Sequence, residues 1–310
     1  MNKNKIIAGS LACILSVGVV LVGPVTASAE KSCEAFSIST ESVTRNRSER
    51  ILTLNTVRSK NVGDYKKYTV SVRGTTLAVK ALRINGSYYI PTRAAANALG
   101  ASYSYDKNSG TSVMKLSGLT VSFTNGNYTV MANDRPLFAM MPTVIMNDGR
   151  MYIPAEAFAK ATGLTLSASG SSISLTGTLR PIAHASSFYR EDEVFWLARI
   201  IQAESGGEPL LGKIAVGNVV LNRVRSAYYP NTIYGVIFDR KYGVQFSPVL
   251  NGTIYNTPSY ASILAAKICL EGFDLSEGAF FFLCPELSSS SWIPNSREYL
   301  FSIGKHDFYR

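Results

Sequence analysis

The chain has 310 residues, enough for two domains with a buried core in each. Its formal charge is +10, from 31 Lys and Arg against 21 Asp and Glu, and it holds only two His. The charge favours anionic polymers or surfaces as partners, and two imidazoles are thin material for a zinc or copper centre.

Residues 1–29 have the layout of a secretory signal. Lys3 and Lys5 start it, Ile6 to Val22 is apolar, and Ala27-Ser28-Ala29 offers a small-residue cleavage site. A retained membrane anchor is the alternative, since the apolar run approaches spanning length. Cleavage would remove two lysines and no acid, leaving a charge of +8. An exported basic protein suits cell-wall polymers or anionic lipids. Nucleic acid is not expected, because no basic helix or aromatic-laced basic motif is present. Cys33, Cys269 and Cys284 remain after cleavage; that is no disulfide scaffold, and the last two either pair or stay as buried thiols.

Residues 30–65 are polar and read as a tether, with a patch at Ile51-Leu52-Thr53-Leu54 able to pair with the adjoining domain. In residues 66–178 the alternation Tyr68-Thr69-Val70-Ser71-Val72 predicts strands. An internal repeat comes next. Asn85-Gly86, Tyr89-Ile90-Pro91 and Ala94 to Gly100 recur, 63 residues on, as Asp148-Gly149, Tyr152-Ile153-Pro154 and Ala157 to Gly163. Each copy predicts a turn, a short strand, a helix opened by Pro and a Gly that stops it, followed by a strand at Ser102–Tyr105 or Leu164–Ser167.

This repeat resembles the module named after the copper amine oxidase N-terminal domain, a small α+β unit common on exported bacterial proteins. The resemblance implies a wall-binding or spacer role. It brings no copper here: residues 30–179 contain no His and, as a soft ligand, only Cys33.

Residues 179–190, with Pro181 and Ser186-Ser187, read as a linker, and residues 191–310 as a second, mainly helical domain. Val194, Leu197, Ala198 and Ile201 mark one helical face. Glu204 continues that face into the last turn before Gly206-Gly207, where burial and the helix dipole both raise a carboxyl pKa. On these residues alone a surface glutamate at a frayed helix end fits too. A second helix is predicted from Pro209 to Arg225, with Leu210, Ile214, Gly217, Leu221 and Val224 on one face. Asn231 is expected to cap a short helix through Phe238. Thr257, with Pro258, is expected to cap another that ends at Gly272. Ala279 to Leu283 is expected to be a short buried strand.

The residues narrow the chemistry. No HExxH spacing, Gly-x-Ser-x-Gly, phosphate loop or dinucleotide fingerprint is present, so neither a metal nor another cofactor is expected. Cys284 and His306 could meet, but Cys284 follows the apolar run Phe280–Leu283, where a thiol is usually inert. Carboxyl chemistry remains. Glu208, beside Pro209 at a helix start, suits a structural role, and Asp239 is further off. A single acid/base carboxyl suits a lytic transglycosylase, in which the sugar's own hydroxyl attacks.

Ala203-Glu204-Ser205-Gly206-Gly207-Glu208-Pro209, Gly212-Lys213-Ile214-Ala215-Val216, Val220-Leu221-Asn222-Arg223-Val224, Pro230-Asn231-Thr232-Ile233, Gln245-Phe246-Ser247-Pro248 and Ile303-Gly304-Lys305-His306 together resemble the SleB-type cell-wall hydrolases, which include spore cortex-lytic enzymes. The resemblance implies a lysozyme-like, mainly α fold and lytic cleavage of peptidoglycan glycan strands to anhydro-muramyl ends, with Glu204 as the catalytic acid/base. Gln245, Phe246 and Ser247 match a recurring loop motif and are candidate cleft residues, with core packing equally open for Phe246. Asn222 and Trp292 are added as substrate-binding candidates. Cortex-lytic members commonly carry a different front module, which leaves spore cortex and vegetative wall both open. The expected protein is thus α+β: an exported monomer with a small α+β repeat module followed by the catalytic domain. The alternatives are a hydrolytic muramidase and a non-catalytic wall-binding protein.

Overall fold

The computed structural model describes residues 65–241, 243–288 and 292–310. The expected signal segment, the tether up to residue 64, Cys33 and the patch at 51–54 lie outside them. The described chain divides into two compact units, residues 65–190 with 270–273, and residues 191–269 with 274–310.

The first unit runs β1 (Tyr65–Val72), β2 (Thr75–Thr76), β3 (Ala81–Ile84), β4 (Ser87–Pro91), α1 (Thr92–Ala98), β5 (Ser102–Asp106), β6 (Thr111–Leu116), β7 (Leu119–Thr124), β8 (Thr129–Ala132), β9 (Arg135–Phe138), β10 (Val144–Ile145), β11 (Met151–Pro154), α2 (Ala155–Thr162), β12 (Thr165–Ser169), β13 (Ser172–Thr176) and the one-turn α3 (Ala185–Phe188). One sheet has the order β10-β11-β4-β3-β1-β13-β12, with β2 paired on β1; β5 to β9 form a second, sequential sheet.

The internal repeat explains one pairing near an edge of the larger sheet. The two Tyr-Ile-Pro strands, β4 and β11, pair antiparallel with Ile90 opposite Ile153, Tyr152 opposite Pro91 and Pro154 opposite Tyr89. Matched residues facing one another this way relate the two copies by a local two-fold axis. In the first copy Asn85 and Gly86 have φ of 47° and 87°, which fits the tight turn that Asn-Gly favours in a hairpin. Gly163 ends α2 at φ 72°, where a Cβ would collide with the Arg180 carbonyl. The copies part after their helices: β5 enters the second sheet, whereas β12 pairs with β13. Ile90, Ile153, Phe158, Val70 and Leu175 are buried in the shared core.

The second unit runs α4 (Glu191–Ser205), α5 (Leu210–Arg225), α6 (Ile233–Ile237), α7 (Pro248–Asn251), a 3-10 turn at Thr253–Tyr255, α8 (Tyr260–Leu270), β14 (Phe281–Leu283), α9 (Trp292–Ser296), β15 (Tyr299–Ile303) and β16 (His306–Tyr309). Three acids, Glu191, Asp192 and Glu193, occupy the first turn of α4, where the helix dipole favours them. The strands form a small antiparallel sheet, β14-β16-β15.

Several expectations need correcting. The predicted single apolar face of α5 is too narrow: every residue from Leu210 to Arg223 is buried and only Val224 is half-buried, so α5 is the unit's central helix. Gly217 permits this crowding, because a Cβ there would lie 2.7 Å from Cys269 Sγ and 2.9 Å from Ile201 Cδ1. Thr232, not Asn231, caps α6, its side chain accepting the Gly235 N–H at 3.0 Å. Ser259, not Thr257, caps α8, its Oγ accepting the Ser262 N–H, because the helix begins at Tyr260. The strand expected at Ala279–Leu283 is Phe281–Leu283 and half-buried, at one of the two edges of its sheet. Cys269 and Cys284 are unpaired; the buried Cys269 thiol donates to the Ile214 carbonyl at 3.4 Å. The expected linker contains α3, whose first turn is capped by the His184 ring.

Among the described residues no helix is long and apolar enough to cross a membrane, and no three His, Cys, Asp or Glu side chains converge as metal ligands would.

Candidate active site

Of the face predicted for α4, Leu197, Ala198 and Ile201 are buried and Val194 is half-buried, while Ile200, not expected there, is buried with them; α4 packs against α5. It carries Glu204 into the last turn, one residue before Ser205, which is itself buried and donates from its Oγ to the Ile201 carbonyl. Glu204 is half-buried. Among the described residues its carboxyl takes no hydrogen bond. Lost hydration therefore dominates and lifts its pKa from 4.5 to about 7, with the Arg223 guanidinium pulling the other way. A carboxyl titrating near neutrality can donate a proton and then take one back.

Arg223 is the second group of the site, and the sequence assigned it no role. It stands near the end of α5, is 5% exposed, and donates from Nε to the Phe280 carbonyl at 2.9 Å. Its guanidinium carbon lies 5.2 Å from the Phe246 and Tyr229 ring centroids and 5.6 Å from that of Phe281, while Nη1 is buried without a hydrogen-bond partner. Burial lowers its pKa, and Tyr229, Glu204 and Asp239 pull it back up. Arg223 thus couples electrostatically to Glu204 and to Asp239, a carboxyl that the sequence left at a distance.

The turn after Glu204 is tied from α5. Lys213, 4% exposed, donates from Nζ to the carbonyls of Ser205 and Gly206 at 2.9 Å each and to that of Glu208. Glu208 is structural, as expected: its carboxylate accepts the Lys305 N–H at 3.0 Å and lies 3.8 Å from His306 Nδ1. Gly304 has to be a glycine here, at φ 58° with the Glu208 carboxylate where a Cβ would be.

The substrate-binding candidates scatter. Asn222 does not face a cleft: it is 9% exposed, and its Nδ2 donates to Ser276 Oγ and the Ala279 carbonyl at 2.8 and 2.9 Å. Phe246 is 2% exposed and packs against Arg223 from inside the core, so it presents no ring to a ligand. Gln245 is half-buried, its amide donating to the Gly243 carbonyl, and Ser247 is exposed at the start of α7 without capping it. Trp292 is 41% exposed, edge-on to Phe281 at 5.9 Å with Arg297 5.1 Å from its centroid. Through Phe281 it stands two contacts from Arg223. Ring contacts thus link Arg223 with Phe246, Phe281 and, through Phe281, Trp292, and Arg223 is coupled electrostatically to Glu204 and Asp239, while the Asn222 amide is engaged elsewhere. A charged residue within the apolar run of α5 was the available signal for both Lys213 and Arg223, since such a group is seldom buried unpaired.

Residues 207–309 match the family described as Cell Wall Hydrolase, and residues 69–176 match the Copper amine oxidase N-terminal domain. The chain is 38% identical over 120 residues to a spore cortex-lytic enzyme of Bacillus cereus, covering 39% of this chain and 45% of that one. It is 30% identical over 115 residues to the cell wall hydrolase CwlJ of Oceanobacillus iheyensis, covering 34% of this chain and 80% of that one. A solved catalytic domain of the germination-specific lytic transglycosylase SleB from Bacillus anthracis is 38% identical, with 39% of this chain and 97% of that one covered and a TM-score of 0.36. The chain spans less than half the length of the Bacillus cereus cortex-lytic enzyme.

Proposed function

We propose that this chain, which belongs to the cell wall hydrolase family, is a peptidoglycan-cleaving lytic transglycosylase that uses Glu204 as its single acid/base. The observation that carries the reading is the Glu204 carboxyl itself: at the end of α4, recessed, without a hydrogen bond among the described residues, and raised to about 7. Support also comes from the relatives, which are named for cortex lysis, wall hydrolysis and lytic transglycosylation.

Glu204, protonated near neutrality, gives its proton to the glycosidic oxygen between the muramic acid and glucosamine sugars. The C1–O bond breaks and the leaving sugar departs as an alcohol. The resulting carboxylate, held by the Arg223 field, then takes the proton of the muramyl C6 hydroxyl as that oxygen closes on C1. The product is a 1,6-anhydro end; Glu204 is protonated again and no water is consumed. Trp292, 41% exposed and linked through Phe281 to Arg223, is the candidate to stack on a sugar ring. Export by residues 1–29 and a spacer or wall-holding role for the repeat module complete the reading, with wall or cortex as the place of action.

A hydrolytic outcome has one observation in its favour, the Asp239 carboxyl sharing the field of Arg223 with Glu204. Digestion of vegetative sacculi and of spore cortex by the protein and its Glu204→Gln variant, read by mass spectrometry, separates the readings. Anhydro-muropeptides that vanish in the variant are expected. Reducing muramyl ends would favour hydrolysis with Asp239 as the water-activating group, and no new glycan ends would leave a wall-binding protein.

A further inference from the structure

We infer that Lys213 is a positioning residue for Glu204: its ammonium clamps the turn after the glutamate and so holds the acid at the place where it meets the glycosidic oxygen. The inference rests on the function proposed above. A helix ends with carbonyls that lack intrahelical partners, and the end of α4 runs into Gly206 and Gly207, which have no side chains to fix it. Left alone, such an end frays, and the residue in its last turn frays with it. Here the Glu208 N–H bonds the Ser205 carbonyl at 2.9 Å, and a single side-chain atom ties down the rest of the turn. Lys213 Nζ meets the carbonyls of Ser205, Gly206 and Glu208, so three donors meet three acceptors across the whole connection from α4 to α5.

Several features make the clamp specific. Lysine is seldom buried, yet Lys213 is 4% exposed in the first turn of the unit's central helix. A cation is unfavourable at the start of α5 but favourable at the end of α4, so its gain lies with the helix that bears Glu204. The clamp is anchored on its far side, since Glu208 also receives the Lys305 N–H from the β15–β16 turn. With every Nζ hydrogen engaged, no donor remains for substrate or for the Glu204 carboxyl. Lys213 therefore acts through the backbone, and its loss should strike turnover rather than binding.

The experiment compares kcat and KM on purified glycan strands for the full chain, Glu204→Gln, Lys213→Met, Lys213→Arg and Val219→Ala. The last opens a cavity elsewhere in α5 and serves as a control for lost stability, compared at temperatures of equal folded fraction. Lys213→Met should lose about 100-fold in kcat, the scale of a displaced catalytic group, with KM within about twofold. Lys213→Arg keeps the charge but spreads its donors over a planar fork, so it should also lose kcat while melting near the parent; it decides the question if the Met variant does not fold. Loss no greater than that of Val219→Ala, or loss falling wholly on KM, would overturn the inference. If Glu204→Gln still cut the strands, the proposed function would fail instead. If that variant were inactive and both Lys213 variants behaved like the control, only the clamp would fall.

Discussion

Replacing Glu204 by glutamine should change how stability depends on pH, independently of any substrate. The carboxyl titrates at about 7 in the folded protein against 4.5 when fully hydrated. A raised pKa means that the folded state holds the proton more tightly than the unfolded chain. The stability this supplies is complete below pH 4.5 and is lost as pH rises through about 7, where the carboxylate must be buried in the folded state. The shift corresponds to about 3 kcal/mol, an upper bound because Glu204 is only half-buried and solvent screens it. Glutamine resembles the protonated form and does not titrate. The stability of Glu204→Gln relative to the parent should therefore be roughly constant near pH 4 and rise by about 2–3 kcal/mol by pH 8. Urea unfolding at pH 4, 5.5, 7 and 8.5, followed by tryptophan fluorescence, measures it. The chain's only two tryptophans, Trp196 and Trp292, both lie in the second unit, so the signal reports the unit that carries Glu204. A difference that stays flat within about 0.5 kcal/mol across this range would refute a raised pKa, whatever the enzyme does to glycan.

Arg223→Met removes the charge that pulls the Glu204 pKa down, so the alkaline limb of the pH–rate profile should move upward; an unmoved limb would show that the two groups are not coupled. The same variant frees the Phe280 carbonyl and should cost about 1–3 kcal/mol in unfolding measurements. Asn222→Ala should cost a similar about 1–3 kcal/mol by stranding Ser276 and the Ala279 carbonyl, with KM unchanged; raised KM at unchanged melting temperature would return Asn222 to the substrate-binding set.

Much of this molecule was legible in the chain itself, where the cause is local. The repeated Tyr-Ile-Pro strand, Pro-led helix and stopping Gly follow from turn chemistry and periodicity within a dozen residues, and the helices after Ile90 and Ile153 form where expected. Glu204 was legible only in part: an acid continuing an apolar stripe into a helix's last turn is a local contradiction, but a surface glutamate at a frayed end fits the same residues, and it was the resemblance of the surrounding motif that singled it out. Cap positions were missed by one or two residues, because Thr232 and Ser259 compete with equally good neighbours and only the packed helix start decides between them.

The tertiary structure alone decided what surrounds that acid. Asn222 and Arg223 are adjacent in the chain, yet Asn222 is spent on the 276–279 turn while Arg223 sets the field at Glu204. Lys213, nine residues from Glu204, reaches back across the connection to close its helix. No spacing rule foretells either contact, because each depends on how far apart α4, α5 and the β14 segment pack, and the chain fixes that distance only through the summed burial of the whole unit. The sequence marked Glu204 as the candidate acid; the fold decided its burial, which raises the carboxyl pKa to about 7 against the pull of the Arg223 charge.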